Sequence, residues 1–149
     1  KAAEVFKPDV IISQHGCDAH AFDPLANLQC SMRIYREIPR MIREIADRYA
    51  QGRWVAVGGG GYDHYRVAPR AWGLLWLEMS QHPLLQDIDQ MPAGGYLPYG
   101  WPPSEFKGVP ANMPETWLDD TTFWKPMPRR AEITAANRKM LELALQHLG

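Results

Sequence analysis

The chain has 149 residues, a formal net charge of −1 from 16 basic and 17 acidic side chains, and 46% hydrophobic residues. This length and apolar content predict one domain with a buried core, and the even charge balance argues against a nucleic-acid-binding surface. Two cysteines, Cys17 and Cys30, are too few for a disulfide framework, and no stretch is apolar enough to span a bilayer. We expect a cytoplasmic protein with reduced thiols and no membrane or nucleic-acid partner.

The first half of the chain has the pattern of a strand, a helix and a second strand. A β-branched run at residues 10–12, ending by Gly16, predicts a buried parallel strand that is apolar on both faces. Apolar residues then recur at helical spacing over about residues 31–50, with Pro39 expected to kink or divide the helix. Residues 54–57 predict the next strand. This order favours a βαβ unit with parallel pairing.

Three further segments follow. A second helix is predicted from Pro69 to about Gln81, with Trp72, Leu75, Trp76 and Met79 as its apolar stripe. Residues 83–128 lack strong periodicity and are rich in proline and aromatic residues, which favours a packed, irregular wrap over disorder. A last helix is predicted over 131–148, and its expected buried positions are Ile133, Met140, Leu141, Ala144 and Leu148.

Potential metal ligands follow the first strand. They are His15, Asp18, His20 and Asp23. Carboxylate and imidazole groups bind divalent metals such as zinc, and ligands of open parallel sheets bind beyond the carboxyl ends of the strands. The competing interpretation is structural, because Asp and His after a strand often cap helices or close turns. No H-E-x-x-H or comparable zinc pattern is present.

Four glycines, residues 58–61, follow the second strand and precede Tyr62. Such a run is expected where the backbone passes very close to a ligand or another chain segment. A phosphate site is disfavoured because the last position of G-x-G-x-x-G would be Asp63 or His64, and no P-loop lysine is present. A plain tight turn remains an alternative, and Tyr62 considered alone fits the core as well as a catalytic role.

Considered together, the two strand ends resemble a known family. The run from Pro8 to Asp18 (PDVIISQHGCD), the Phe22-Asp23-Pro24-Leu25 segment, and Gly58 to Trp72 (GGGGYDHYRVAPRAW) are similar to the arginase/deacetylase-fold deacetylases. Within these, the chain looks most like the acetoin-utilisation proteins, which are relatives of the class I histone deacetylases. The resemblance extends from Lys1 to about His82 and returns at residues 112–115.

The resemblance implies an α/β fold, the C-terminal part of a three-layer, parallel-sheet arginase/deacetylase domain. It implies zinc as cofactor, with Asp18 as one ligand, and Tyr62 as the catalytic hydroxyl that hydrogen-bonds the substrate carbonyl. Gly60 and Gly61 match glycines in the wall of the acyl-lysine tunnel, and Leu25 matches an apolar residue at its mouth. His15, His20 and Asp23 match no catalytic residue of the family; they are interpreted as candidates for positions that support the site or form its rim, with a structural role favoured over a chemical one.

Other family motifs have no counterpart here. The chain has no His-His pair, and its one Asp-x-His run, Asp18-Ala19-His20, begins at the aspartate that matches the family's other zinc ligand. We expect the His-His pair and the family's separate Asp-x-His ligand motif upstream of Lys1, and we expect the 149 residues alone to bind zinc poorly and to be inactive. The expected organisation is a catalytic βαβα segment at 1–82, a wrap at 83–130 and a helix at 131–148. A two-stranded sheet would expose apolar surface, to be covered by oligomerisation or by the missing N-terminal portion.

The family resemblance implies an acetylated protein as substrate, in a bacterial cytoplasm. Two alternatives remain open. The residues from Pro83 to Pro128 could form a non-catalytic protein-interaction module, or the same fold could deacetylate acetylpolyamines or other small amides.

Overall fold

The computed structural model describes residues 1–122 and 124–148. Its helices are α1 (Ala2–Phe6), α2 (Arg33–Tyr49), α3 (Ala68–Met79), α4 (Leu84–Gln90) and α5 (Arg130–Gln146), with a short 3₁₀ helix at Pro92–Gly94. Two strands, β1 (Ile11–His15) and β2 (Trp54–Gly58), pair in parallel, with Ile11 opposite Trp54 and His15 opposite Gly58. The predicted βαβ unit is confirmed. Phe123, one of the aromatic residues of the wrap, lies outside the described residues.

Helix α2 crosses between the two strands and ends where its sequence predicts. Pro39 lies inside it, yet the helix is not divided there. After Tyr49 the chain leaves the helix through Gln51 and Gly52, both with positive φ. The Gly52 N–H donates to the Ala46 carbonyl at 3.0 Å, which satisfies one of the free carbonyls of the last turn. This tight turn leads directly into β2.

The core lies between α2, α3 and the wrap, and the strands only border it. Its buried members include Met32, Tyr35, Leu74, Ile88 and Leu118. A buried arginine joins three helices at one end of this core: Arg36 donates to Glu78 of α3 at 2.6 Å and to both carboxylate oxygens of Asp89 of α4 at 2.9 and 2.7 Å. Bidentate pairing of this kind fixes the relative orientation of the helices that it joins.

The predicted buried faces of the strands and of α2 are wrong in part. Along each strand half-buried residues alternate with exposed ones, and Ile12, Val55 and Val57 are exposed. On α2, Ile38 and Met41 are likewise exposed. The physical reason is that only one side of this layer is covered by the described residues. The expected exposure of apolar surface by a two-stranded sheet is therefore present.

The predicted stripe of α3 is also wrong. Trp72, Trp76 and Met79 are exposed, and the buried face instead carries Ala68, Arg70, Ala71, Leu74, Leu77 and Glu78. Apolar side chains occur nearly all round this helix, so its periodicity does not define one face. Packing against α2 selects the face with small residues, Ala68 and Ala71, which allow the two helices to approach closely.

The remaining corrections concern the C-terminal half. Helix α4 was not predicted, because the expectation for residues 83–128 was irregular structure throughout. Helix α5 occupies nearly the predicted span but buries no residue, so the expected burial of Ile133, Met140, Leu141 and Ala144 is wrong, whereas Leu148, just after the helix, is half-buried. In the ranges 1–122 and 124–148, no helix combines the length and the apolar character that crossing a membrane requires.

Candidate functional site

The loops that follow β1 and β2 meet at one edge of the sheet. Because the strands are parallel and His15 pairs with Gly58, Asp18 and Tyr62 both follow the carboxyl ends of the strands. The N–H of Cys17 donates to the carbonyl of Gly60 at 2.5 Å, which joins the two loops directly. The edge is the one at which ligands of open parallel sheets bind.

The glycine run allows the second loop to lie against the first. A Cβ atom at Gly60 would lie 2.5 Å from Oδ2 of Asp18, and one at Gly61, where φ is +155°, would collide with the Cys17 sulfur. The predicted close backbone approach is therefore confirmed, and its neighbour is another chain segment. The roles of Gly60 and Gly61 in a substrate tunnel stay predictions.

Asp18 is available to a ligand. Its side chain is half-buried beside the Gly60 backbone, and it accepts no hydrogen bond from any described residue. A carboxylate so placed fits the role of one metal ligand. However, residues 1–122 and 124–148 contain no group of three His, Cys, Asp or Glu side chains that could hold a metal ion. The described residues thus offer one carboxylate that fits such a role and not the three protein ligands that catalytic zinc takes.

The neighbouring side chains are occupied by structural contacts. His15 Nε2 lies 2.7 Å from Ser13 Oγ, which accepts from Trp54 Nε1, and burial lowers the pKa of His15. Burial, followed by the charge of Asp18, raises the pKa of the Cys17 thiol to about 11, so this side chain behaves as a small apolar group. The structural interpretation of His15 is the one that these contacts support.

Tyr62 and Leu25 are exposed residues of the two loops. The Tyr62 side chain is 48% exposed, and its hydroxyl has no hydrogen-bond partner in the described part of the chain. Leu25, 64% exposed, lies within the turn that Asp23 closes. An exposed phenol and an exposed leucine, on the two loops that also carry a free carboxylate, suit the recognition of an extended ligand with an apolar stem.

Arg66 links both loops to the wrap. Its guanidinium pairs with Asp63, donates to Asn112 Oδ1 at 3.0 Å, and stands 4.6 Å from the centroid of the Phe22 ring. The Arg66 N–H also donates to Asp63 Oδ1 at 2.7 Å, which caps the turn before α3. Asp63 lies five residues before Ala68, where α3 begins, and it closes the turn that precedes the helix, which is a common role of aspartate. No pattern in the sequence predicts the contacts of Arg66 with Phe22 and Asn112.

Asp119, in the wrap, binds the segment that follows β1, and no pattern in the sequence predicts this contact. Its Oδ2 accepts from Nε2 of the fully buried His20 at 2.9 Å and from the Met32 N–H at 2.6 Å. Its Oδ1 accepts from Arg70 at 2.9 Å. His20 Nδ1 accepts the Phe22 N–H, so the ring proton is on Nε2 and points at Asp119. The wrap therefore holds the loop that carries Asp18 through this buried carboxylate.

Replacing Asp119 with asparagine is expected to destabilise the chain by about 3–5 kcal/mol, because Arg70 loses its buried counter-charge. Burial raises the pKa of Asp119, but the His20 hydrogen bond and the Arg70 charge outweigh it and hold the pKa below its usual value. The stabilisation is therefore complete above the unfolded carboxyl pKa of about 3.9, and it is lost as the pH falls through the lower folded pKa. Urea unfolding from pH 3 to 7 measures both effects.

The matched control is the adjacent, exposed Asp120, changed to asparagine. It carries out the same chemical replacement one residue away and should leave the unfolding midpoint at pH 7 unchanged. Equal midpoints for the Asp119 and Asp120 variants would show that the buried network does not hold the loop.

The chain is similar in sequence to known proteins. A family model described as the histone deacetylase domain matches residues 1–79, just over half of the chain. The chain is 44% identical over 145 residues to the acetoin utilization protein AcuC of Bacillus subtilis, covering 97% of this chain and 35% of that protein. It is 37% identical to the protein of that name from Staphylococcus xylosus, covering 94% and 34%. The chain thus spans about a third of the length of these relatives.

Proposed function

Because this chain belongs to the histone deacetylase domain family, whose domain has the arginase/deacetylase fold, we propose that it supplies part of the active site of a zinc-dependent deacetylase. The proposed reaction is hydrolysis of the acetyl-lysine amide on proteins. The observation that supports it best is that a free carboxylate, Asp18, and a free phenol, Tyr62, lie on the two loops that follow the carboxyl ends of one parallel strand pair.

Asp18 is proposed as one zinc ligand, and the remaining ligands and the general base are proposed to come from residues outside these 149. Zinc, when bound, polarises the amide carbonyl and lowers the pKa of a coordinated water to about 7. The chain's own contribution is then to orient the substrate and to stabilise charge. The Tyr62 hydroxyl donates to the oxygen that becomes negative, where a preorganised donor is most effective.

The other proposed roles follow from shape. Gly60 and Gly61 are proposed to form a wall of the acyl-lysine tunnel, because the absence of their side chains lets this backbone lie directly against Asp18 and Cys17. Leu25 provides apolar surface at the entrance. The proposed partner is an acetylated protein, with no nucleic acid involved, and the apolar surface left exposed on β1, β2 and α2 is proposed to be covered by the rest of the domain or by a second copy.

The test uses the full-length protein, purified with zinc and assayed on acetyl-lysine peptides and on acetylpolyamines. We expect peptide hydrolysis that a chelator abolishes and that one equivalent of zinc restores. The isolated 149-residue chain should hold much less than one equivalent of zinc and show no activity. Full activity after complete metal removal would contradict the zinc role. A preference above tenfold for acetylpolyamines would favour the small-amide alternative, and absence of any amide hydrolysis would favour an interaction module.

A further inference from the structure

Asp23 joins the two loops of the candidate site through a single carboxylate. It is 3% exposed and lies five residues after Asp18 in the chain. Its Oδ1 accepts from the backbone N–H groups of Leu25 and Ala26 at 2.9 and 3.3 Å, which closes a local turn. Its Oδ2 accepts from the N–H of Tyr62 at 2.9 Å, on the other loop. A local turn requires only the first of these oxygens.

The charge on Asp23 strengthens this link. Burial raises the pKa of Asp23, but the N–H donors of Tyr62, Leu25 and Ala26 outweigh that effect and hold the pKa below its usual value. The carboxylate is therefore ionised at neutral pH. Hydrogen bonds from N–H groups to an ionised carboxylate are shorter and about twice as strong as neutral ones.

The Tyr62 side chain has few other restraints. Its ring is half-exposed, and its hydroxyl has no partner among the residues that the structure describes. The position of the hydroxyl therefore depends on how the backbone holds Tyr62. Immediately before it the backbone contains four glycines, which allow more conformations than other residues. The hydrogen bond from the Tyr62 N–H to Asp23 restrains the chain at the point where this flexible run ends.

We propose, resting on the function proposed above, that Asp23 is a positioning residue: its carboxylate holds the Tyr62 backbone so that the phenol faces the group bound at Asp18. Asp23 itself touches neither substrate nor metal. Displacement of a catalytic group by about 1 Å is enough to cost on the order of 100-fold in rate. Loss of this one contact is therefore expected to slow turnover by about 10- to 100-fold while substrate binding stays nearly unchanged.

Two variants separate the link to Tyr62 from the local turn. Asp23→Asn keeps an oxygen for the Leu25 and Ala26 N–H groups but turns an NH₂ group toward the Tyr62 N–H. Asp23→Ser also supports the turn, since serine accepts the same local hydrogen bonds, but it is too short to reach Tyr62. Asp89→Asn is the matched control, because it removes a carboxylate partner of Arg36 far from the strand ends.

The experiment measures kcat, KM and zinc content of the full-length protein, together with hydrogen exchange of the peptide that contains Tyr62. Each Asp23 variant is made in the native background and in a Tyr62→Phe background. We expect both Asp23 variants to lower kcat by about 10- to 100-fold, to change KM less than about threefold, to keep zinc, and to exchange faster at Tyr62. In the Tyr62→Phe background the same changes should cost less than about twofold, because the group that Asp23 positions is gone.

Different results would overturn different statements. If Tyr62→Phe is slow but the Asp23 variants turn over at the native rate, or slow the Tyr62→Phe protein as much as the native one, Asp23 does not act through Tyr62. If Tyr62→Phe itself turns over normally, the proposed function of Tyr62 fails and the positioning role falls with it. If Asp89→Asn lowers kcat as much as Asp23→Asn, the loss reflects general destabilisation and the proposal is rejected.

Discussion

Replacing Tyr62 with phenylalanine in the full-length protein is expected to lower kcat by about 10²- to 10³-fold, which corresponds to roughly 2.7–4 kcal/mol of lost transition-state stabilisation. The change removes one hydroxyl and leaves the Tyr62 N–H free to bond Asp23, so the loop should keep its conformation. Because the lost hydrogen bond is proposed to form only as the carbonyl oxygen gains charge, kcat and kcat/KM should fall together. Steady-state kinetics on an acetyl-lysine peptide, with zinc content measured alongside, tests this.

Tyr65 provides the matched control three residues away. Its hydroxyl donates to the Lys107 carbonyl in the wrap and has no place in the proposed chemistry. Tyr65→Phe should retain kcat within about twofold. A normal turnover of Tyr62→Phe, or an equal loss in both variants, would remove Tyr62 from the mechanism.

Replacing Asp18 with alanine is expected to have an equally large effect, through a different cause. A catalytic zinc with three protein ligands loses one, and the affinity should drop more than about 100-fold, since changes to residues that merely support such ligands already cost 10- to 100-fold. The protein purified under chelating conditions should then contain little zinc and show little activity. Elemental analysis together with a zinc titration measures the change.

The control for Asp18 is Asp9, a fully exposed carboxylate on the approach to β1. Asp9→Ala should keep about one equivalent of zinc and normal turnover. Asp18→Ala protein that retains zinc at the level of the native protein would contradict the ligand role, whatever its activity. Because Tyr62→Phe should retain zinc and Asp18→Ala should not, the two variants separate charge stabilisation from metal binding.

Local patterns predicted most of the elements that bring these residues together. The β-branched runs before Gly16 and Gly58, with a periodic helix between them, are sufficient to specify a parallel strand pair, because a crossover of this length returns the chain in the same direction. These patterns alone place Asp18 and Tyr62 after the carboxyl ends of neighbouring strands. Helix α4 was missed because residues 84–90 are short and flanked by prolines.

The buried faces of the helices were less accessible. Trp72 and Trp76 are the largest apolar residues of α3, and their spacing suggested the buried stripe, yet both are exposed. The apolar stripe of a helix shows which residues can be buried. The element that packs against the helix determines which of them are buried. On α5, the spacing of the apolar residues is that of an amphipathic helix. In the part of the chain that the structure describes, however, no residue of this helix is buried.

The amino-acid sequence by itself determined the strand–helix–strand unit and the chemistry at its carboxyl edge, because turn glycines, β-branched runs and a carboxylate after a strand act over a few residues. Only the tertiary structure decided how that edge is held. Asp23 reaches Tyr62 across 39 residues, and Asp119 reaches His20 across 99. Hydrogen bonds over such separations depend on which surfaces pack together, and no local pattern encodes the pairing of two distant polar groups.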